Sequence, residues 1–86
     1  LFRVNERVVF REIDDRIVLI NLDSGYYYSL NEVGCFIFNQ ILKNKGIDDI
    51  LDEIEGHFEV SQGRAREDLE EFMGTLEKEQ IIRAAG

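Results

Sequence analysis

Apolar and polar positions follow a short period through the first thirty residues and a helical one thereafter. Val8, Val9, Phe10 and Ile13 stand among Arg7, Arg11 and Glu12, a half-buried pattern rich in β-branched residues that predicts a strand. Asp14-Asp15 suits a two-residue turn, although it lacks the glycine a type I′ hairpin favours. Arg16 opens the run Ile17-Val18-Leu19-Ile20-Asn21-Leu22, which is apolar on both faces and therefore expected at the centre of its sheet. Asp23-Ser24-Gly25 reads as a turn, with Gly25 supplying a positive φ, and Tyr26–Leu30 follows as a third strand. The order predicts a three-stranded antiparallel meander.

The period changes at Asn31, whose side chain is suited to cap a helix over Glu32–Asn44. Val33, Phe36, Ile37, Ile41 and Leu42 make a wide apolar stripe flanked by Cys35 and Phe38, as expected of a central helix. Lys43-Asn44-Lys45-Gly46 ends it, with Gly46 expected at the C-terminal cap. Ile47, Ile50, Leu51, Ile54 and Phe58 mark a second helix over Asp48–Phe58. Ser61 is expected to cap a third helix, Gln62–Glu79, with Ala65, Leu69, Phe72, Met73 and Leu76 along one face. Ile81-Ile82 then read as a short extended tail packed on the core. The whole is expected to be a single α+β domain spanning 1–86: a three-stranded antiparallel meander followed by three helices, with a winged-helix-like helical part.

Charge narrows the partners. The chain carries a formal net charge of −8, all of it in one half. Residues 1–45 have six basic and six acidic side chains; residues 46–86 have four basic and twelve acidic ones. Nucleic acid and anionic membrane both need clustered Lys and Arg. In a winged helix that binds DNA the third helix enters the major groove; here that helix has Arg64, Arg66 and Lys78 against six acidic residues. Neither nucleic acid nor membrane is therefore expected as a partner. The longest apolar runs are four residues, Ile17–Ile20 and Cys35–Phe38, too short for a membrane span or signal-peptide core. One cysteine, Cys35, leaves no intrachain disulfide. A cytoplasmic chain is expected, and Leu1 in place of Met suggests a short preceding piece.

Catalytic chemistry finds little footing. Ser24 in Asp-Ser-Gly has neither the nucleophile-elbow pattern nor a base nearby in sequence. His57, the one histidine, falls at a helix end, and Cys35 lies on a buried stripe. One Cys and one His have no zinc-ligand spacing. Asp48, Asp49, Asp52, Glu53 and Glu55 form the acidic face of a helix and lack the glycine of a calcium loop. No enzyme activity, metal or cofactor is expected.

The unusual segment is Tyr26-Tyr27-Tyr28-Ser29-Leu30. Three successive tyrosines must put rings on both faces of a strand, and with Ile17–Leu22 central this strand lies at an edge. Proteins usually blunt an edge with Lys, Pro or a bulge, yet the chain has no proline, and no charge falls between Asp23 and Glu32. One reading is that the rings fill a core and shield the edge. Another is that the edge accepts a second chain by strand addition, either a peptide ligand or another copy in a homodimerising scaffold module. Gly74, inside the third helix, fits a close approach by another backbone or simple tolerance.

The runs VLINLDSGYYYSLNEVGCFIFNQI and FEVSQGRAREDLEEFMGTLEKEQIIR resemble the PqqD-like family, the recognition elements for ribosomally made precursor peptides that are later modified. The resemblance rests on the Gly-Tyr-Tyr-x-x-Leu-Asn junction at Gly25–Asn31, the apolar first helix, the Asp-Leu-x-x-Phe-x-x-x-Leu helix at Asp68–Leu76 and the closing Ile81-Ile82. It extends from about Val8 to Arg83. The segment Phe58–Leu69 is similar to stand-alone leader-binding domains of lasso-peptide pathways, with the PqqD type that serves a radical SAM enzyme close behind. The resemblance implies that a precursor's leader adds as a strand beside Tyr26, Tyr27, Tyr28, Ser29 and Leu30, and that Ala65, Asp68, Leu69, Phe72 and Met73 line or flank the groove. It implies delivery of the leader to a leader peptidase or radical SAM enzyme; a monomer or weak dimer is expected. Glu79-Gln80 departs from the pattern, because many relatives have glycine before the last apolar pair.

Overall fold

The computed structural model describes residues 2–84. Its elements are β1 (Phe2–Val4), β2 (Val8–Ile13), β3 (Arg16–Asn21), β4 (Tyr27–Leu30), α1 (Glu32–Leu42), α2 (Ile47–His57), α3 (Gln62–Lys78) and β5 (Ile82–Ala84). Strands β2, β3 and β4 form the expected antiparallel meander with β3 in the middle, so β4 is an edge. Asp14 and Asp15 turn the first hairpin with φ of 50° and 64°, the two positive values a type I′ turn requires. Gly25 takes φ 78° in the second.

The strand parity follows the burial. Ile17 and Leu19 point inward and are buried, and Phe10, beside Leu19, sets its ring edge-on to Phe38 at 5.3 Å. Helix α1 covers this inner face; Phe38, Ile37 and Ile41 are buried there. Ile50, Leu51 and Ile54 of α2 and Ala65, Leu69, Met73 and Leu76 of α3 close the same cluster from the other side. Each such Leu, Ile or Phe side chain contributes about 1.5–3 kcal/mol by leaving water.

Four details differ from the sequence reading. First, Phe2–Val4 is a strand, pairing Phe2 with Ala84 and Val4 with Ile82 in a second, two-stranded sheet; its three residues are too few to show a period. Second, α1 stops at Leu42, and Asn44 rather than Gly46 adopts the left-handed conformation (φ 59°). Gly46 has extended backbone (φ −77°, ψ 169°) and instead precedes α2, which begins at Ile47. Third, Tyr26 precedes β4 rather than opening it, although its carbonyl accepts the Asn21 N–H at 3.0 Å. Fourth, Gln80 takes φ 59° at the turn from α3 into the tail. The backbone there has the glycine-like geometry that the expected glycine would supply, at the steric cost a side chain carries in that region.

Candidate functional site

Backbone parity determines what β4 offers. The Asn21 N–H to Tyr26 C=O bond puts Asn21 and Tyr26 at a hydrogen-bonded position of the ladder. In an antiparallel ladder such pairs alternate. With Leu19 opposite Tyr28 and Ile17 opposite Leu30, the main-chain groups of Tyr28 and Leu30 are spent on β3. Those of Tyr27 and Ser29 point to the open side.

Side chains alternate in the same way. Leu30 is buried and Tyr28 is half-buried on the inner face, while Tyr27 (74% exposed) and Ser29 project outward. Tyr28 reaches the end of α3, where its hydroxyl donates to the Glu79 carboxylate at 2.7 Å. Mainly through that bond, and then through burial and the Glu79 charge, the hydroxyl is pushed up to about 12 from its ordinary 10.0. Asn21 braces the same corner. Its Oδ1 accepts the Asp23 and Ser24 N–H groups at 2.9 and 3.2 Å, and its Nδ2 donates to the Glu79 carbonyl at 3.4 Å.

Helix α3 runs back along this edge. Glu79 lies by Tyr28, and nearly two helical turns toward the N-terminus Phe72 lies near Leu30. The contact is close because Gly34 of α1 has no side chain: a Cβ there would stand 3.3 Å from Phe72 Cε1, Leu30 Cβ and Asn31 Oδ1 alike. Asn31 caps α1, its Oδ1 accepting the Gly34 N–H at 2.8 Å. The trough between β4 and α3 has a polar hollow of about 300 Å³ at its head, bounded by Asn21, Ser24, Tyr26, Lys78 and Glu79. Beyond its foot lies an apolar pit of about 100 Å³ with Val33, Phe58, Val60, Ala65, Asp68 and Leu69 in its wall.

The residues singled out in the sequence therefore divide. Tyr26, Tyr27 and Ser29 are exposed along the edge, and Asp68 and half-buried Phe72 flank the trough. Ala65 and Leu69 are core residues whose sides form the pit wall, and Met73 is buried in the core and touches neither cavity. Gly74 is exposed, on the opposite side of α3 from that core-facing row, and nothing in this chain approaches within 4 Å of a Cβ there. Sequence reasoning missed Glu79, Val33 and Gly34. A glycine inside an apolar helix was the available signal for Gly34; no local signal marks the other two.

The remaining reactive groups make contacts within the fold. Cys35 is buried, its thiol donating to the Leu30 carbonyl at 3.4 Å. The Ser24 hydroxyl accepts the Tyr26 N–H at 3.2 Å within the turn. His57 stacks on Phe36 with centroids 4.7 Å apart. Among the described residues, no three His, Cys, Asp or Glu side chains converge to hold a metal, and no helix is long and apolar enough to cross a membrane.

Two solved structures share this fold. TbiB1 in complex with the TbiA(beta) leader peptide superposes with a TM-score of 0.91 at 27% identity, covering 98% of each chain. A lasso peptide synthetase B1 complexed with the leader peptide gives 0.89 at 22% identity, over 96% of this chain and 98% of that one, a likeness of fold. No curated protein matches the chain significantly. The family described as coenzyme PQQ synthesis protein D (PqqD) matches residues 16–82, the stretch that holds β3, β4, the trough and all three helices, and the chain belongs to that family.

Proposed function

We propose that this chain binds the leader of a ribosomally made precursor peptide by strand addition to β4, and presents it to a separate enzyme without itself catalysing a step. The observation that carries the reading is the open edge of β4, where the main-chain groups of Tyr27 and Ser29 face outward beside α3. Main-chain bonds supply affinity in such a mode, and pockets for alternate side chains supply specificity. A leader strand places every second side chain toward α3, with Phe72 beneath it and the apolar pit beyond as the seat for a bulky apolar anchor. Similarity to two leader-peptide complexes supports the same ligand class.

The flank of α3 beside the trough carries Asp68, Glu71 and Glu79 against Arg64 and Lys78. Basic residues in the leader are steered to it, within a screening length of about 8 Å at physiological salt. The receiving enzyme is a lasso-type leader peptidase in the first reading and a radical SAM enzyme in the second, met in the cytoplasm where the precursor is translated. Titration of a synthetic leader from the precursor encoded beside this chain tests the proposal. Saturable binding to a monomer supports it. Absence of binding, or self-association through β4 in sedimentation, overturns it.

A further inference from the structure

The polar hollow at the head of the trough continues beyond it. It shares Asp23 and Gln80 with a cleft of about 390 Å³ beside the end of α3. That cleft shares Glu6 and Arg83 with a smaller hollow of about 160 Å³, in whose wall Arg3 also stands. The three form one polar furrow that leads from the β4 edge to the β1–β5 pair. At its far end Arg3 and Arg83 are direct cross-strand partners, and like charges directly opposite destabilise a strand pair. Their neighbours Phe2, Val4 and Ile82 pack on the core, so strand alternation turns both arginines outward. Among the described residues neither lies in an ion pair. Arg83 is positioned by a neutral group, its Nη2 donating to Asn5 Oδ1 at 3.1 Å. Glu6 borders the same hollow without pairing with either arginine, so one carboxylate faces two cations. Nearer the trough the balance differs: Arg7 is paired with Asp23 at 3.0 Å, and Glu77 is left beside them.

We infer that this furrow holds the part of the precursor that follows its strand-forming segment, and that Arg3 and Arg83 together receive a carboxylate side chain from that part. The inference rests on the leader-binding reading. Strand β4 runs from the head of the trough to its foot. A strand added antiparallel, as both pairs of this sheet already are, runs from foot to head, and antiparallel pairing is the more stable kind. Its C-terminal end therefore emerges where the furrow begins. A carboxylate seated between the two guanidiniums offsets their repulsion and accepts charge-assisted hydrogen bonds from both. The contact adds selectivity for precursors with an acidic residue downstream of the strand, which the main-chain bonds to β4 cannot read.

The test titrates the full chain with two synthetic peptides from the precursor encoded beside it. One is the whole precursor; the other is cut just after the segment whose amides the bound chain protects from hydrogen exchange. Cutting should weaken binding about fivefold, the worth of a good exposed ion pair. Arg83→Glu converts the opposed cations into a cross-strand ion pair, so the melting temperature should hold. It should weaken the whole precursor about fivefold and leave the cut peptide within about twofold. Arg3→Glu should do the same. Changing the downstream Asp and Glu residues of the whole precursor to Asn and Gln should reproduce the loss. Equal binding of the two peptides overturns the inference. So does a loss in the Arg83→Glu variant that is the same for both, or a precursor with no acidic residue beyond the strand. If the unmodified chain binds neither peptide, the proposed function falls and this inference with it; if it binds both alike, the inference alone falls.

Discussion

The Tyr28 hydroxyl donates to the Glu79 carboxylate at 2.7 Å, tying the edge strand to the first residue beyond α3. The bond sets the width of the trough at its head, while Phe72 against Gly34 sets it lower down.

Its pH dependence has a definite sign. The folded-state value of Tyr28 is raised to about 12 above an ordinary 10.0, so the bond's contribution is complete below pH 10 and is lost as pH rises through 12. Thermal melts between pH 9 and 12 should show a decline that is absent in Tyr28→Phe. Glu79→Gln keeps an acceptor but removes the charge, and should return the phenol titration, followed by ultraviolet absorbance, toward its ordinary value.

Proline substitutions separate the two sides of β4. Ser29→Pro removes an N–H that faces the open edge, where proline is tolerated. The fold should survive by circular dichroism while leader affinity falls by about tenfold, the worth of roughly one good hydrogen bond. Tyr28→Pro removes a donor to β3 and should unfold the hairpin. Equal effects of the two on the melting temperature would contradict the assigned parity.

The pit is best probed at its rim. Leu69 is 1% exposed, so Leu69→Arg buries an unpaired charge and should cost on the order of 4 kcal/mol or more, unfolding the chain. Val33 is 38% exposed in the pit wall. Val33→Asp should leave the melting temperature within a few degrees and reduce leader affinity by about tenfold, as measured by calorimetry.

Gln80 holds a left-handed backbone, with its N–H on the Glu77 carbonyl at 3.0 Å and its own carbonyl accepting from Asn5 at 2.8 Å. Gln80→Gly should relieve the steric cost and offset the extra chain entropy, stabilising by about 0.5–1 kcal/mol. That corresponds to a rise of about 4 °C in Tm for a domain this small. A lower Tm would show that the side chain contributes packing that its geometry does not suggest.

Much of this was legible because it is local. Period, turn residues and caps specified the meander, the helices at Asn31 and Ser61, and the edge status of Tyr27–Leu30. The pairing of Phe2–Val4 with Ile82–Ala84 was not legible, because it joins the two ends of the chain and neither segment carries a pattern of its own. The groove lining was only partly legible. Resemblance put Ala65, Leu69 and Met73 beside the ligand, whereas their helical spacing with Leu76 directs them into the core, and Asp68 and Phe72 remain at the trough.

By itself, then, the sequence determined the element order, the acidic third helix that disfavours nucleic acid, and the aromatic strand left at an edge, since each depends on near neighbours or on composition alone. Only the tertiary structure decided which backbone groups of that strand stay free, that Glu79 latches Tyr28, and that Val9, Ile20 and Tyr27 gather on one outer face. Those depend on register between strands and on the return of α3 along the edge. Contacts between residues this far apart in the chain are selected by packing of the whole core, not by any local run of residues.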